Sequence, residues 1–346
     1  MSQAPSANAD RRFGGGGPTL AEVGETALLD ELVAIAATVT GGGGHGADDA
    51  AVWSPAAGRD LVESVDALVE EVDFRRSWIG PRQLGRRAFT VAVSDLAAMG
   101  AEPVHCLATI CAPSSEQFED LLELQRGLCE AAASVGCAVI GGDVSAIAGP
   151  LVVVVSVTGS LAGGMALRRA AGLPGDLLVV TGVLGRAAAG LRLLLEGSSP
   201  ATDAEAGWVR AQLQPPVRLG EGMRLLQAGV RCAGDISDGL LLDAARTARA
   251  CGCAAEIWAA SLPVDGELRD RFGQDWLQPA LGGGEDFELL AALPEADADA
   301  LLRGWPSRRA PLAVVGRLRL GEGVHLLDRR GGVELPQPAP SARHFS

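Results

Sequence analysis

The chain has 346 residues, 48% of them hydrophobic and 21% charged, and 43 acidic against 29 basic residues leave a formal net charge of -14. That length supports two domains with cores of their own, and that charge disfavours nucleic acid and anionic membrane as partners. There is no lysine and no tyrosine, which excludes a P-loop lysine, a protein-kinase strand lysine and Schiff-base chemistry, so phosphates would have to be handled by metal ions, arginines and backbone N–H groups.

In chain order, residues 1–20 read as a flexible leader rich in Ala, Ser and Gly, without the apolar region behind a basic start that marks a signal peptide. Glu25–Val39 carries Leu28, Leu29, Leu32, Ile35 and Ala36 at helical spacing, and a glycine-rich turn from Gly41 to Gly46 then delivers the pair Asp48-Asp49. Glycines of this kind either cradle a phosphate or form an ordinary loop. Leu61–Val69 reads as a strand, Pro81–Ala98 as a helix carrying Asp95, and Val104–Cys111 as the next strand. Ser114 and Ser115 are placed to cap a helix reaching to about Val135, with Gly136 as its stop signal, before Cys137–Ile140 leads into Gly141-Gly142-Asp143. Leu151–Thr158 is a β-branched strand.

A boundary falls near Gly163 to Arg169, giving an expected N-terminal domain over 21–162 and a C-terminal domain over 163–346. Pro174-Gly175-Asp176 turns into a strand at Leu177–Thr181, followed by a helix over Arg186–Glu196 and a loop near Gln212–Pro216. Helices are expected at Leu219–Ala228 and Gly239–Cys251, then a strand near Ala255–Trp258 and a glycine loop at Gly282–Phe287. A strand at Leu289–Leu293, a short helix near Asp297–Arg303 and strands near Leu312–Leu318 and Val324–Asp328 close the chain. Strands interleave with helices throughout and no fixed-period repeat is present, which defines an α/β (α+β) protein.

One carboxylate, Asp95, interrupts the apolar stretch from Phe89 to Pro103. An ionised Asp in such surroundings is paired, hydrogen-bonded or metal-bound, and the plain alternative is a helix start capped by Ser94 or Asp95. The pattern recurs. Asp66 follows an extended run, Asp143 follows two glycines, Asp235 and Asp238 lie in the string DISDGL, and Asp48 and Asp49 follow the glycine run. Each is expected at a strand end or in a glycine-rich turn, where carboxylates converge, and convergent hard oxygen ligands suit Mg2+.

The seven cysteines, at 106, 111, 129, 137, 232, 251 and 253, contain no CxxC pair and sit mostly in apolar runs. Reduced buried thiols and a reducing cytoplasm are the expectation. The uncharged run Leu151–Leu167 is broken by Gly159, Gly163 and Gly164 and reads as a buried strand and turn instead of a membrane span. Trp208, Trp258 and Trp276 are read as packing residues, His45 as a loop residue, and the arginine pairs at 11–12, 86–87 and 329–330 as solvated faces.

The strings ADDAAV, SVDALVEEVDF, SDLAAMGAEP, GGD, GLPGDLLVVTG, DISDGL and GGGEDFEL occur in the order of the motifs of the thiamine-monophosphate kinase family, which the chain resembles over about residues 22–345. That family belongs with aminoimidazole ribonucleotide synthetase and selenophosphate synthetase. The resemblance implies an N-terminal domain whose mixed sheet pairs with its twin in a homodimer, an α/β C-terminal domain, and ATP- and Mg2+-dependent phosphoryl transfer to thiamine monophosphate, giving thiamine diphosphate. It implies Asp49, Asp66, Asp95, Asp143, Asp235 and Asp238 as Mg2+ ligands, Asp95 and Asp238 being catalytic. Gly142, Arg169 and Ser237 correspond to ATP contacts, and Asp73 and Glu285 to substrate contacts.

The chain departs from the family at several of these points. Ala47 replaces a glycine before the aspartate pair, Val65 replaces a hydroxyl residue before Asp66, and Asp73 replaces a histidine. An arginine that follows the GGD string is missing from Ser145–Gly149, and an aromatic residue near the C-terminus is replaced around Ala342, although His344 and Phe345 fit the ending. Selenophosphate synthetase is disfavoured because Phe13–Pro18 holds no cysteine. The departures keep two other readings open: a paralogue phosphorylating a different small metabolite, and a nucleotide-binding partner without catalysis.

Overall fold

The computed structural model describes residues 12–14, 17–41 and 54–339. Within them the chain divides into two units, one formed by the residues up to Leu96 with Pro103–Ser160, the other by Ala97–Glu102 with the residues from Leu161 onward. Both are mixed α/β, each built on one sheet.

The elements of the first stretch are α1 (Leu20–Val23), α2 (Glu25–Thr40), β1 (Arg59–Val69), α3 (Pro81–Met99), β2 (Glu102–Ala112), α4 (Phe118–Ser134), β3 (Ala138–Ala146) and β4 (Val152–Ala162). The strands lie in the order β1-β4-β2-β3. β2 and β3 are parallel, which requires a crossover, and α4 supplies it. Contacts of Arg59 with Ser160, Ser64 with Ser156 and Glu70 with Leu151 run in opposite chain directions, so β1 and β4 are antiparallel.

In α3 every residue from Arg87 to Ser94 is buried. A helix buried all round has no polar stripe, which is why its apolar run resembles a strand in sequence. Arg87, expected on a solvated face, is 2% exposed, because α3 buries that side as well. The start of α4 also differs from expectation. Its N-cap is Gln117, while the carbonyl of Ser114 accepts the N–H of Ala21 at 2.9 Å and that of Gln117 accepts the N–H of Asp120.

The second stretch contains β5 (Leu177–Thr181), α5 (Arg186–Glu196), α6 (Asp203–Leu213), α7 (Leu219–Gln227), β6 (Cys232–Ile236), α8 (Leu240–Ala250), β7 (Ala254–Trp258), α9 (Gly266–Phe272), β8 (Glu288–Leu293), α10 (Glu295–Arg303), β9 (Leu312–Arg319) and β10 (Val324–Leu327). Its strand order is β10-β7-β9-β5-β8-β6, with β10 and β7 parallel and the other pairings antiparallel. All residues of β5, β6, β7 and β8 are buried, as in a sheet covered on both faces. The helices α6 and α9 were not foreseen. Trp208 of α6 and Leu268 of α9 pack with Ala189 and Leu193 of α5 in a cluster of their own.

The cysteines are free thiols, and burial pushes those of Cys129 and Cys232 up to about 12, which keeps them protonated and inert. Trp208 and Trp258 are packing residues as expected, their indole N–H groups donating to Asp265 at 3.3 Å and Glu256 at 2.6 Å. Trp276 lies under the Arg269 guanidinium, 4.1 Å from the ring centroid. No helix among the described residues is long and apolar enough to cross a membrane.

Candidate active site

In the first unit the sites start from strand alternation. Ser64 and Asp66, two apart on β1, share its more protected face, while Val65 between them points the other way and is 61% exposed. The Ser64 hydroxyl donates to the carboxylate of Asp95, which α3 presents from its last two turns. Asp95 is therefore neither a helix cap nor a turn residue; its carboxylate is supported by a neutral donor across to β1. A hydroxyl at position 65 would lie on the face away from Ser64 and Asp66.

Asp143 is exposed on β3, opposite Thr109 of β2, and accepts from the Ser145 hydroxyl at 3.3 Å. Gly142 beside it lies so close to β2 that a Cβ would stand 1.9 Å from the carbonyl oxygen of Ala108. Sheet packing alone therefore demands glycine there. A cavity of about 70 Å³ opens beside this strand, lined by Leu32, Ala36, Ile110, Gln125, Val139 and Asp143. Asp73 clamps the turn after β1. Its carboxylate accepts the N–H of Val69 at 2.8 Å, and its own N–H donates to the Val69 carbonyl at 2.8 Å.

In the second unit two motifs distant in sequence come together because β6 and β8 are antiparallel neighbours. The N–H of Glu285 donates to the Ser237 carbonyl at 2.7 Å, and that of Phe287 to the Ile236 carbonyl at 2.9 Å. Glu285 and Phe287 have φ of +67° and +47°, a conformation costly for residues with a Cβ and concentrated at functional sites. Asp235, next to last in β6, is almost wholly buried, and Arg169 donates to it at 3.0 Å. The arginine lies flat over Gly234, where a Cβ would meet its Nε at 2.6 Å.

Asp238 precedes α8. Its backbone N–H donates to Asp243 at 3.0 Å, and its carboxylate is ion-paired with Arg246, which also holds Asp243 at 2.9 Å. Burial raises the pKa of Asp243, opposed by the Asp238 N–H and by Arg246. The Glu285 carboxylate accepts from the Gln212 amide on α6. Behind the loop, Asp286 accepts the N–H groups of Gly185 at 2.8 Å and Ala187 at 3.4 Å at the start of α5. Glu288 accepts from Arg218 through both oxygens at 2.6 Å and from Thr181 at 2.6 Å.

Of the four described aspartates expected at strand ends or turns, Asp238 lies in the turn before α8, Asp235 is next to last in β6, and Asp66 and Asp143 lie inside strands; Asp95 is on a helix, as expected. Asp49, with His45, Ala47, Ala342, His344 and Phe345, lies outside the described residues. Ser64 is joined to Asp95 in the first unit, and Ser237 to Glu285 in the second, while Asp235 meets Arg169 and Asp238 meets Arg246. Ser64, Gln212, Asp243, Arg246 and Asp286 were missed. The spacing Ser64–Asp66 and the string Asp243 to Arg246 could have suggested three of them; the Gln212–Glu285 contact spans 73 positions and leaves no local trace.

Among the described residues no three His, Cys, Asp or Glu side chains form a ready metal-binding group. The donors nonetheless suit Mg2+. They are carboxylate and hydroxyl oxygens, and Asp238 already holds a positive charge, that of Arg246.

The two mixed α/β units correspond to the AIR synthase related class, whose N-terminal domain matches residues 47–161 and whose C-terminal domain matches residues 174–327. Thiamine-monophosphate kinase of Bacillus subtilis strain 168 is 33% identical over 275 residues, 79% of this chain and 84% of that protein. The chain belongs to the thiamine-monophosphate kinase family. Among solved structures, thiamine-monophosphate kinase from Stenotrophomonas maltophilia K279a superposes with a TM-score of 0.74 at 35% identity, covering 81% of this chain and 89% of that one. AaThiL complexed with AMPPCP and TMP gives a TM-score of 0.72 at 27% identity, covering 93% and 98%.

Proposed function

We propose that the protein transfers the γ-phosphoryl group of ATP to thiamine monophosphate, giving thiamine diphosphate and ADP. The observation that carries this reading is the junction of Ser237-Asp238 with Glu285, made by a 2.7 Å hydrogen bond from the Glu285 backbone N–H to the Ser237 carbonyl, which supports a phosphate-side turn next to a substrate-side residue. Likeness to thiamine-monophosphate kinases over most of the chain, and to the AaThiL complex with AMPPCP and TMP, supports it.

The acceptor phosphate is already ionised near neutral pH, so no side chain has to remove a proton, and the obstacle is the repulsion between anions. Asp66, Asp95, Asp143, Asp235 and Asp238 would hold Mg2+, with Asp49 as a further ligand from the sequence. Bound Mg2+ neutralises phosphate charge on donor and acceptor. Ser64 orients Asp95, and Arg169, fixed between Asp235 and Gly234, offers a guanidinium to ATP phosphate oxygens. Ser237 and Gly142 serve the nucleotide as well. Glu285, oriented by Gln212, supplies negative charge toward the cationic thiazolium of the acceptor.

The protein acts as a homodimer in the cytoplasm. Leu61, Val65 and Leu107, exposed on the sheet of the first unit at 41%, 61% and 42%, support the pairing, and the free thiols support a reducing compartment. A paralogue phosphorylating another small metabolite is the second reading, favoured by Asp73, whose carboxylate is turned into its own backbone turn. The deciding assay incubates the protein with ATP, Mg2+ and either thiamine monophosphate or free thiamine and measures thiamine diphosphate. Product from the monophosphate alone is the expected result; ADP release without the diphosphate would favour the paralogue.

A further inference from the structure

Arg246 stands on α8 one turn beyond Asp243, and its Nη1 reaches two carboxylates, Asp243 at 2.9 Å and Asp238. The three side chains differ in burial: Asp243 is 1% exposed, Asp238 22% and Arg246 42%. Asp243 uses its other oxygen to accept the backbone N–H of Asp238 at 3.0 Å, so the turn before α8 and the guanidinium hang from one buried carboxylate.

We propose that Arg246 is an exchangeable counter-ion for Asp238. In the nucleotide-free protein it occupies the Asp238 carboxylate; a divalent cation takes its place, and Asp243 retains the freed guanidinium. The inference rests on the reading of Asp238 as a cation ligand and deepens it by naming the group that sets that ligand's affinity.

The physical asymmetry lies in the two ion pairs. At the exposure of Arg246 and Asp238 their attraction is screened and weak, so a divalent ion can displace the guanidinium. Asp243 cannot be abandoned in the same way, because an ionised carboxylate at 1% exposure without a partner is costly. Arg246 therefore swings off Asp238 while remaining on Asp243. It is a positioning residue, acting on the cation through competition for Asp238.

The test titrates Mn2+, a paramagnetic probe for hard cations, into the full-length nucleotide-free protein and follows free Mn2+ by electron paramagnetic resonance. Arg246→Gln removes the competing charge and is expected to bind Mn2+ about fivefold more tightly than the wild type. Arg246→Lys keeps a positive charge and should return the affinity to near the wild-type value. Asp238→Asn should lose the site, and circular dichroism checks that each variant is folded. Equal or weaker binding in Arg246→Gln, or tight binding in Arg246→Lys, overturns the exchange while the loss in Asp238→Asn leaves the ligand reading standing. Wild-type binding by Asp238→Asn overturns both.

Discussion

The two units hold their carboxylates in different ways. In the first, Asp95 and Asp143 are supported by the neutral hydroxyls of Ser64 and Ser145. In the second, Asp235 and Asp238 are joined to the guanidinium groups of Arg169 and Arg246, and Glu285 to the Gln212 amide. A neutral donor orients a carboxylate and leaves its charge for an incoming cation, whereas an arginine orients it and offsets that charge at the same time. The first unit thus leaves its carboxylate charge open to a cation, whereas in the second a cation must share a carboxylate with a guanidinium or displace it.

The largest test of this contrast is Asp95→Asn. It keeps the shape and the Ser64 contact while removing the charge, so turnover is expected to fall by about a hundred- to a thousandfold with the thermal unfolding curve little changed. Turnover within a few-fold of wild type would show that the charge in the first unit has no catalytic use. Gly142→Ala probes the same unit from the packing side. With a Cβ 1.9 Å from the Ala108 carbonyl, β2 and β3 must separate, and a loss of about 1–3 kcal/mol in denaturant unfolding is expected. An unchanged midpoint would leave nucleotide contact as the sole reason for glycine.

The smallest effect belongs to Asp286 in the second unit. Burial is the main cause that raises its pKa to about 8, aided by the charge of Glu288 and opposed by the N–H groups of Gly185 and Ala187 and by Arg186. The folded carboxyl keeps its proton up to about pH 8, whereas the unfolded chain releases it near the ordinary value of 3.8. Its contribution to stability is thus complete below about pH 4, is lost progressively as the pH rises, and levels off above about pH 8. Asp286→Asn does not titrate, so melting curves from about pH 5 to 8 should show the variant losing less stability than the wild type. Parallel curves would place the proton elsewhere.

How much of this was legible in sequence depends on range. The helix Arg186–Glu196 and the strand Leu177–Thr181 fall where periodicity and turn residues put them, because both signals are local. Helix α6 was missed: its segment Asp203–Leu213 is mostly polar and small, and what holds it is Trp208 packing against α5. The aspartates stood out as charges in apolar or glycine-rich surroundings. Their supports did not, because Ser64–Asp95 and Gln212–Glu285 join residues 31 and 73 positions apart. Asp73 shows the converse, a residue marked by resemblance to the substrate side whose carboxylate is engaged by its own turn.

The central claim is phosphoryl transfer to a phosphate acceptor, and following the γ-phosphorus of labelled ATP tests it most directly. With Mg2+ and thiamine monophosphate present, the label should appear in thiamine diphosphate in step with ADP, with little in inorganic phosphate. Label released only as inorganic phosphate, or remaining in ATP when the protein binds both ligands, would contradict the account.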